Sequence, residues 1–299
     1  MTIFPTDGPD ITTPSEASTL TFSPNFLWGV STSAHQVEGD NTNSQWSAWE
    51  AAGRIKSGER CGLACDWWQN AERDFDLASA LGLNALRLSV EWSRLEPRQA
   101  YWDSQAFARY RSMLGGLHQR GIRPFVSLHH FSHPRWFEQQ GGFLGNAAED
   151  FFERFTRKVV AELGDLCRDW VTFNEPNVYA ALGYVLGEFP PGGKGELLRA
   201  VRVLSAMGRA HAWAYNSIHQ LQPLAQVGWA HNYVVFQPAS SGGKLELAAV
   251  AIVGQTVARE NRSRRLCSAD IRLSIPKHWN RTCGIYRCYS RKHERNLCR

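Results

Sequence analysis

A carboxylate and an amide stand side by side in Thr172-Phe173-Asn174-Glu175-Pro176, directly after the strand-like run Arg168-Asp169-Trp170-Val171. A proline restricts the residue before it, so Pro176 helps fix the backbone at Glu175. Parallel α/β enzymes place reactive groups at strand ends. A carboxyl held there in partial burial keeps its proton to higher pH, which is the requirement for a general acid. The competing roles are structural: Glu175 as a cap for the next helix, Asn174 as a strand-end turn former. His129, His130 and His133 are a second group with chemical potential. Shared metal ligation by them is disfavoured, because adjacent strand residues point to opposite faces and no acidic or cysteine ligand is seen nearby. Cys267, Cys283, Cys288 and Cys298 lack the paired spacing of a zinc knuckle. No metal and no cofactor is expected.

These residues need a frame, and the chain repeats one. Strand-like segments at 26–31, 84–90, 123–128, 170–173 and 225–230 alternate with helical patterns at 74–81, 103–120, 146–163 and 196–221. A further helical pattern covers 245–257. Asp103 and Asn146 are the expected N-caps, and Gly121 ends the second helix. Strands spaced by helices imply βαβ units and a parallel sheet. Gln36, Glu38, Trp92, His129, His130, Asn174, Glu175, His231 and Asn232 all fall just after a strand. No glycine-rich phosphate loop follows the first strand, which argues against a nucleotide fold. The expectation is an α/β protein of the (β/α)8 TIM-barrel type, incomplete at about five β/α units.

The order of the motifs carries a resemblance. The stretch from Phe26-Leu27-Trp28-Gly29 through His35-Gln36-Val37-Glu38-Gly39 resembles the N-terminal signature of family 1 glycoside hydrolases. Arg87-Leu88-Ser89-Val90-Glu91-Trp92-Ser93-Arg94 is similar to the family's second-strand motif, Leu128-His129-His130-Phe131 to its third-strand motif, and Thr172–Pro176 to its acid/base motif. The likeness covers roughly Phe22 to Pro238, and Phe131 takes a place held by tryptophan in relatives. It implies a retaining β-glycosidase on a (β/α)8 barrel, acting on β-linked glucosides or similar small glycosides. Glu175 becomes the acid/base and Asn174 the partner of the sugar 2-hydroxyl. Gln36 and His130 hold other hydroxyls, Arg87 bonds the partner carboxylate, and Asn232 matches a sugar-proximal asparagine. The family's nucleophile is a glutamate after strand seven in a Glu-Asn-Gly context. Here the Glu-Asn pair is Glu260-Asn261, followed by Arg262 with no strand before it, so it is not assigned; nor is Glu294.

Composition agrees with a globular protein: 299 residues, 43% hydrophobic and 20% charged. The formal charge of +5 is uneven. Residues 257–299 hold twelve basic and three acidic residues, a net of +9, against −4 elsewhere. The basic Arg262, Arg264 and Arg265 therefore give little support to nucleic-acid binding. Residues 1–20 are expected to be a disordered leader, 21–257 a partial barrel, and 258–299 a basic, cysteine-rich tail outside the family pattern. The change in composition suggests a truncated barrel with an unrelated terminus. No apolar run spans a membrane, and a cytoplasmic site is expected. Of the twelve tryptophans, Trp46, Trp49, Trp67 and Trp68 are expected to pack rather than to stack on sugar. Five units cannot close a barrel, so a homo-oligomer that covers the open sheet edges is expected. The alternatives are a non-catalytic carbohydrate-binding or scaffold protein, and a non-functional fragment.

Overall fold

In the computed structural model, which describes residues 21–233, sheet pairing starts where a side chain stops replacing it. Asn84 accepts the Trp28 N–H on Oδ1 (2.7 Å) and donates from Nδ2 to the Phe26 carbonyl (3.0 Å). These bonds substitute for a ladder. The first strand, β1, therefore covers only Gly29–Ser31, less than the expected 26–31. After it come α1 (Ala34–Val37), α2 (Gln45–Ala51), α3 (Trp67–Ala80), β2 (Ala85–Ser89), α4 (Trp92–Leu95), α5 (Ser104–Gln119) and β3 (Arg123–His129). The chain continues with α6 (Arg135–Gln139), α7 (Ala148–Leu163), β4 (Asp169–Asn174), α8 (Pro176–Ala180), α9 (Leu197–Leu221) and β5 (Gln226–Ala230). The expected leader, the helix at 245–257 and the tail lie outside the described residues.

Two helix starts differ from expectation. α3 begins at Trp67 rather than Asp74, because a bend at Asn70 (φ −125°, ψ 19°) interrupts the helical period. The Asn70 side chain bonds Asp66 there at 2.7 Å. Of its apolar residues, Phe75 and Ala78 are buried, whereas Leu77 and, at the C-cap, Leu81 are exposed. Asn146 does not cap α7: Ala147 occupies the N-cap with no side-chain bond, and Glu149 and Asp150 in the first turn supply the favourable negative charge. Asp103 caps α5 as expected, accepting from the Gln105 and Ala106 amides at 2.9 and 3.0 Å.

All five strands run parallel in the order β1-β2-β3-β4-β5. This is the succession of a (β/α)8 barrel, and it confirms the expected class for the described residues. Arg123 at the start of β3 forks onto Asp169 at the start of β4 (2.6 and 2.7 Å) and fixes their register. The core lies between the middle strands and the helices outside them. Phe152 of α7 stacks on Phe173 of β4 with ring centres 4.5 Å apart, and Phe155 on Trp92 at 4.6 Å. Register puts the C-terminal ends of all five strands along one rim. Among the described residues no helix is long and apolar enough to cross a membrane.

Candidate active site

At the end of β4 the chain turns through the left-handed region, with Glu175 at φ 45° and ψ 59°. Few non-glycine residues adopt it, and a following proline normally favours extended backbone. Backbone bonds hold the strain. The Glu175 N–H donates to the Ala230 carbonyl of β5 (2.7 Å), and the Glu175 carbonyl accepts from the Val178 and Tyr179 amides (2.9 and 3.0 Å). Glu175 therefore occupies the N-cap of α8 with its backbone, while its side chain makes no cap bond. The carboxyl is left for other work. Burial raises its pKa above the ordinary carboxylate range; the Arg87 charge and a hydrogen bond with Asn232 pull the other way. Asn177, which sequence reasoning passed over, donates from Nδ2 to the Asn232 carbonyl (2.9 Å).

Arg87 of β2 donates from Nε to Ser31 Oγ of β1 at 2.8 Å. Its charge acts on both Glu175 and His130. His130 is pushed down to about 3, first by burial and then by that charge, so the imidazole is neutral at ordinary pH. A neutral imidazole has one donor and one acceptor, the pairing a hydroxyl needs. Arg87, His130, Glu175 and Asn232 are thus brought together. Asn174 precedes Glu175 and is only 3% exposed. Gln36 lies on α1 at the same rim, where its Oε1 accepts from Ser33 Oγ (2.6 Å). No interaction joins Gln36 to Glu175.

The turn that carries His130 is held by residues no motif singled out. Phe131 also sits in the left-handed region, at φ 66°. Its carbonyl accepts from Gln45 Nε2 (2.7 Å) and Trp46 Nε1 (2.8 Å), while Gln45 Oε1 accepts the His133 N–H (2.8 Å). A buried glutamine amide thus clamps the loop after β1 to the turn after β3. Nothing in a lone glutamine advertises that role.

His129 faces away from His130, as the strand alternation requires, into the rings of Phe143, Phe173 and Tyr179. Burial holds it well below the usual histidine range. Its Nε2 is 3.2 Å from His133 Nδ1, and His133 Nε2 is 2.8 Å from Glu138 Oε2. No acid is expected near these histidines; Glu138, brought back by α6, is one. Both nitrogens of His133 are used in this way, whereas His129 Nδ1 is buried without a hydrogen-bond partner among the described residues, so the run of bonds ends there.

Glu38, after α1, is buried between Tyr110, whose hydroxyl donates at 2.6 Å, and Arg94, whose Nε donates at 2.8 Å. Burial outweighs both partners and pushes its carboxyl up to about 7. Arg94 also bonds the Gly39 carbonyl and lies over Trp68 at 4.2 Å. Trp49 and Trp67 are buried, and Trp46 donates to Phe131 as described. The four tryptophans pack, as expected.

The profile described as "Glycosyl hydrolase family 1" matches residues 18–257. Beta-glucosidase A of Thermotoga maritima is 30% identical over 226 residues, which cover 73% of this chain and 50% of that protein. Human lactase/phlorizin hydrolase is 34% identical over 217 residues, 70% of this chain and 11% of its own length. Among solved structures, a beta-glycosidase from Pyrococcus horikoshii is 36% identical with a TM-score of 0.72, covering 80% of this chain and 55% of that one. The beta-glucosidase from Thermotoga maritima in complex with castanospermine is 29% identical with a TM-score of 0.74, at 78% and 54% coverage. The chain spans about half the length of Beta-glucosidase A and of these two structures. With the family profile covering most of its length and the strand order agreeing, the chain belongs to glycosyl hydrolase family 1.

Proposed function

We propose that this chain carries the acid/base half of a retaining β-glycosidase that acts on small β-glycosides. The observation that carries it is Glu175: a half-buried carboxyl at a strand end, freed from capping, with its pKa raised by burial. In its protonated form it donates to the leaving oxygen, and as a carboxylate it then takes a proton from the attacking water. Neutral His130 and Gln36 hold sugar hydroxyls, and Asn174 bonds the 2-hydroxyl, a contact that strengthens toward the transition state. Asn232 and Arg87 stabilise the carboxylate form of Glu175 during the second step.

A retaining pair needs a second carboxylate about 5 Å from the first. Such a charge would push the Glu175 pKa higher still. Among the described residues, burial, Arg87 and Asn232 account for its shift. No nucleophile is therefore assigned among the described residues, and turnover requires a carboxylate from beyond them or from another chain. Association through the sheet rims belongs to the same proposal, as does a cytoplasmic setting like that of the human cytosolic beta-glucosidase, 30% identical over 234 residues.

The test is hydrolysis of an aryl β-glucoside by the purified chain beside Glu175→Gln. Activity that is lost in the variant supports the proposal. Saturable sugar binding without turnover in either protein replaces it with a carbohydrate-binding role. Neither turnover nor binding sinks both. The pH profile has a fixed sign. Only protonated Glu175 donates, so the rate falls as pH rises through its raised pKa. Arg87 lowers that pKa, so Arg87→Gln moves the alkaline limb to higher pH; a shift to lower pH contradicts the assignment.

A further inference from the structure

Around α1, which bears Gln36, three side chains from separate elements converge with the donor types a transition metal takes. His35 is on α1, Glu50 on α2 and Cys61 on the loop before α3, and their ligand atoms all lie within 4.8 Å of one another. His35 Nε2 is 3.1 Å from Glu50 Oε1. His35 and Glu50 are buried, whereas Cys61 is half-buried and its neighbours Arg60 and Gly62 are exposed. Solvent can therefore reach the sulfur side. An imidazole nitrogen, a carboxylate oxygen and a thiolate are the ligand set of zinc, whose tetrahedral donors sit roughly 3.3–3.7 Å apart. The nitrogen and oxygen, 3.1 Å apart, stand slightly inside that spacing, and the sulfur lies within 4.8 Å of both, so binding requires the pair to spread a little and the Cys61 side chain to move in.

The outer bonds have the pattern of a metal site. His35 and Glu50 are each held by a further partner at the atom that would not ligate. The Cys61 N–H donates to Glu50 Oε2, the oxygen other than the one bonded to His35, at 3.1 Å. Asn41 Nδ2 is 3.1 Å from His35 Nδ1, and Asn41 Oδ1 is 2.8 Å from Ser93 Oγ, which also reaches Glu91 Oε1 at 2.7 Å. This run of hydrogen bonds allows two proton arrangements, the first complete by itself and the second only with a cation. In one, Asn41 donates to Nδ1 and the His35 Nε2–H donates to Glu50. In the other, the Asn41 amide is turned over: His35 Nδ1–H donates to its oxygen, its NH2 donates to Ser93 Oγ, and the Ser93 hydroxyl donates to Glu91. The second leaves two lone pairs facing each other, on His35 Nε2 and Glu50 Oε1, and only a cation between them satisfies both.

We propose that His35, Glu50 and Cys61 form a zinc-binding site, with water as the fourth ligand. Binding moves the imidazole proton from Nε2 to Nδ1 and releases the Cys61 thiol proton to solvent, one proton per ion. The thiol, which now donates to the His35 carbonyl at 2.7 Å, becomes the thiolate ligand. The ion clips α1, α2 and the loop before α3 together, next to Gln36. The site stands independently of any glycosidase activity.

The test is calorimetric titration of the full-length reduced chain with Zn2+ alone, in the absence of other ligands. His35→Gln and Cys61→Ser are expected each to lose one equivalent of zinc, and Cys65→Ser none. Asn41→Ala, which removes an outer bond, is expected to weaken that equivalent tenfold or more. A second measurement leaves the site unaltered. In a full-length chain with Cys267, Cys283, Cys288 and Cys298 changed to serine, together with Cys65→Ser, Co2+ is expected to give a thiolate-to-metal charge-transfer band. Cys167, the other cysteine left, is buried with its thiol pushed up to about 12, so the band reports Cys61. Its absence overturns the proposal, as does unchanged zinc stoichiometry and affinity in folded His35→Gln and Cys61→Ser.

Discussion

β4 and β1 belong to one sheet, yet their surroundings are opposite. All six residues of Asp169–Asn174 are buried, and all three of Gly29–Ser31 are exposed. β5, at the other rim, keeps only Val227 buried. The exposed large apolar side chains gather toward the rims: Trp28 and Val30 with β1, Leu77 and Leu81 with α3, Leu198, Val201 and Trp213 with α9. A parallel strand is normally covered on both faces. The middle of the sheet meets that condition within the described residues, and the rims do not. The difference divides the candidate site. Glu175 and His130 stand on the packed middle strands, while Gln36 and its loop stand on a rim. The Glu175 end is therefore preformed, and the Gln36 end depends on what lies against β1.

The largest expected effect tests the middle. Phe173 is fully buried, stacked on Phe152 and edge-on to Phe143. Phe173→Ala is expected to cost about 3–5 kcal/mol in urea unfolding, because neighbouring rings cannot collapse into the space. Leu77→Ala removes a residue that is 62% exposed and is expected to cost less than about 1 kcal/mol. Equal losses at the two positions break the comparison.

The next effect lies at the seam, where the loop after β1 meets α4 and α5. Glu38 has a folded pKa of about 7, well above its ordinary value. The folded state therefore keeps a proton that the unfolded state has lost. The stability this gives is fully present below the unfolded pKa and is lost as pH rises through about 7. The whole contribution is on the order of 3 kcal/mol. Unfolding measured from pH 4 to 8 is expected to show that decline, and Glu38→Gln is expected to flatten it. A variant as steep as the parent assigns the slope to other groups.

Gln45 spans the same seam from the other side. Gln45→Leu keeps the volume but leaves the His133 N–H without its acceptor and the Phe131 carbonyl with Trp46 alone. The cost is expected to be about 2 kcal/mol, and sugar affinity is expected to fall because the His130 turn loosens. A loss of stability with sugar affinity untouched confines Gln45 to a structural role.

These regions were also unequally legible in the sequence. Apolar strand cores and the Asp103 cap declared themselves, because local pattern and final burial agree there. Glu175 stood out because a strand, an amide and a proline converge on it. The length of β1 did not show: Asn84 replaces its ladder from 56 residues away. Nor did the start of α3, where Asn70 breaks the period, or the Glu138 partner of His133, which depends on how α6 folds back. Gln45 acts through an amide contact 86 residues along the chain. What remained hidden are side-chain bonds between distant segments, for which composition and period carry no signal.

The smallest effect on folding is expected at the rim itself, and it separates two ways of covering β1. Val30 is 47% exposed and lies in register with Leu86 of β2. Val30→Lys places a charge where there is little to pack against, so stability is expected to change by less than about 1 kcal/mol. Its consequence for assembly is different. A lysine on an open rim opposes pairing with another strand. If a second copy covers β1, light scattering of the parent shows a mass above 33.7 kDa that falls in Val30→Lys. If the chain's own remaining residues cover the rim, the parent is a monomer and the lysine acts within the fold, lowering stability by more than an exposed site allows. A monomeric parent with an unaltered melting curve in Val30→Lys excludes both, and with them the idea that Gln36 waits on a covering partner.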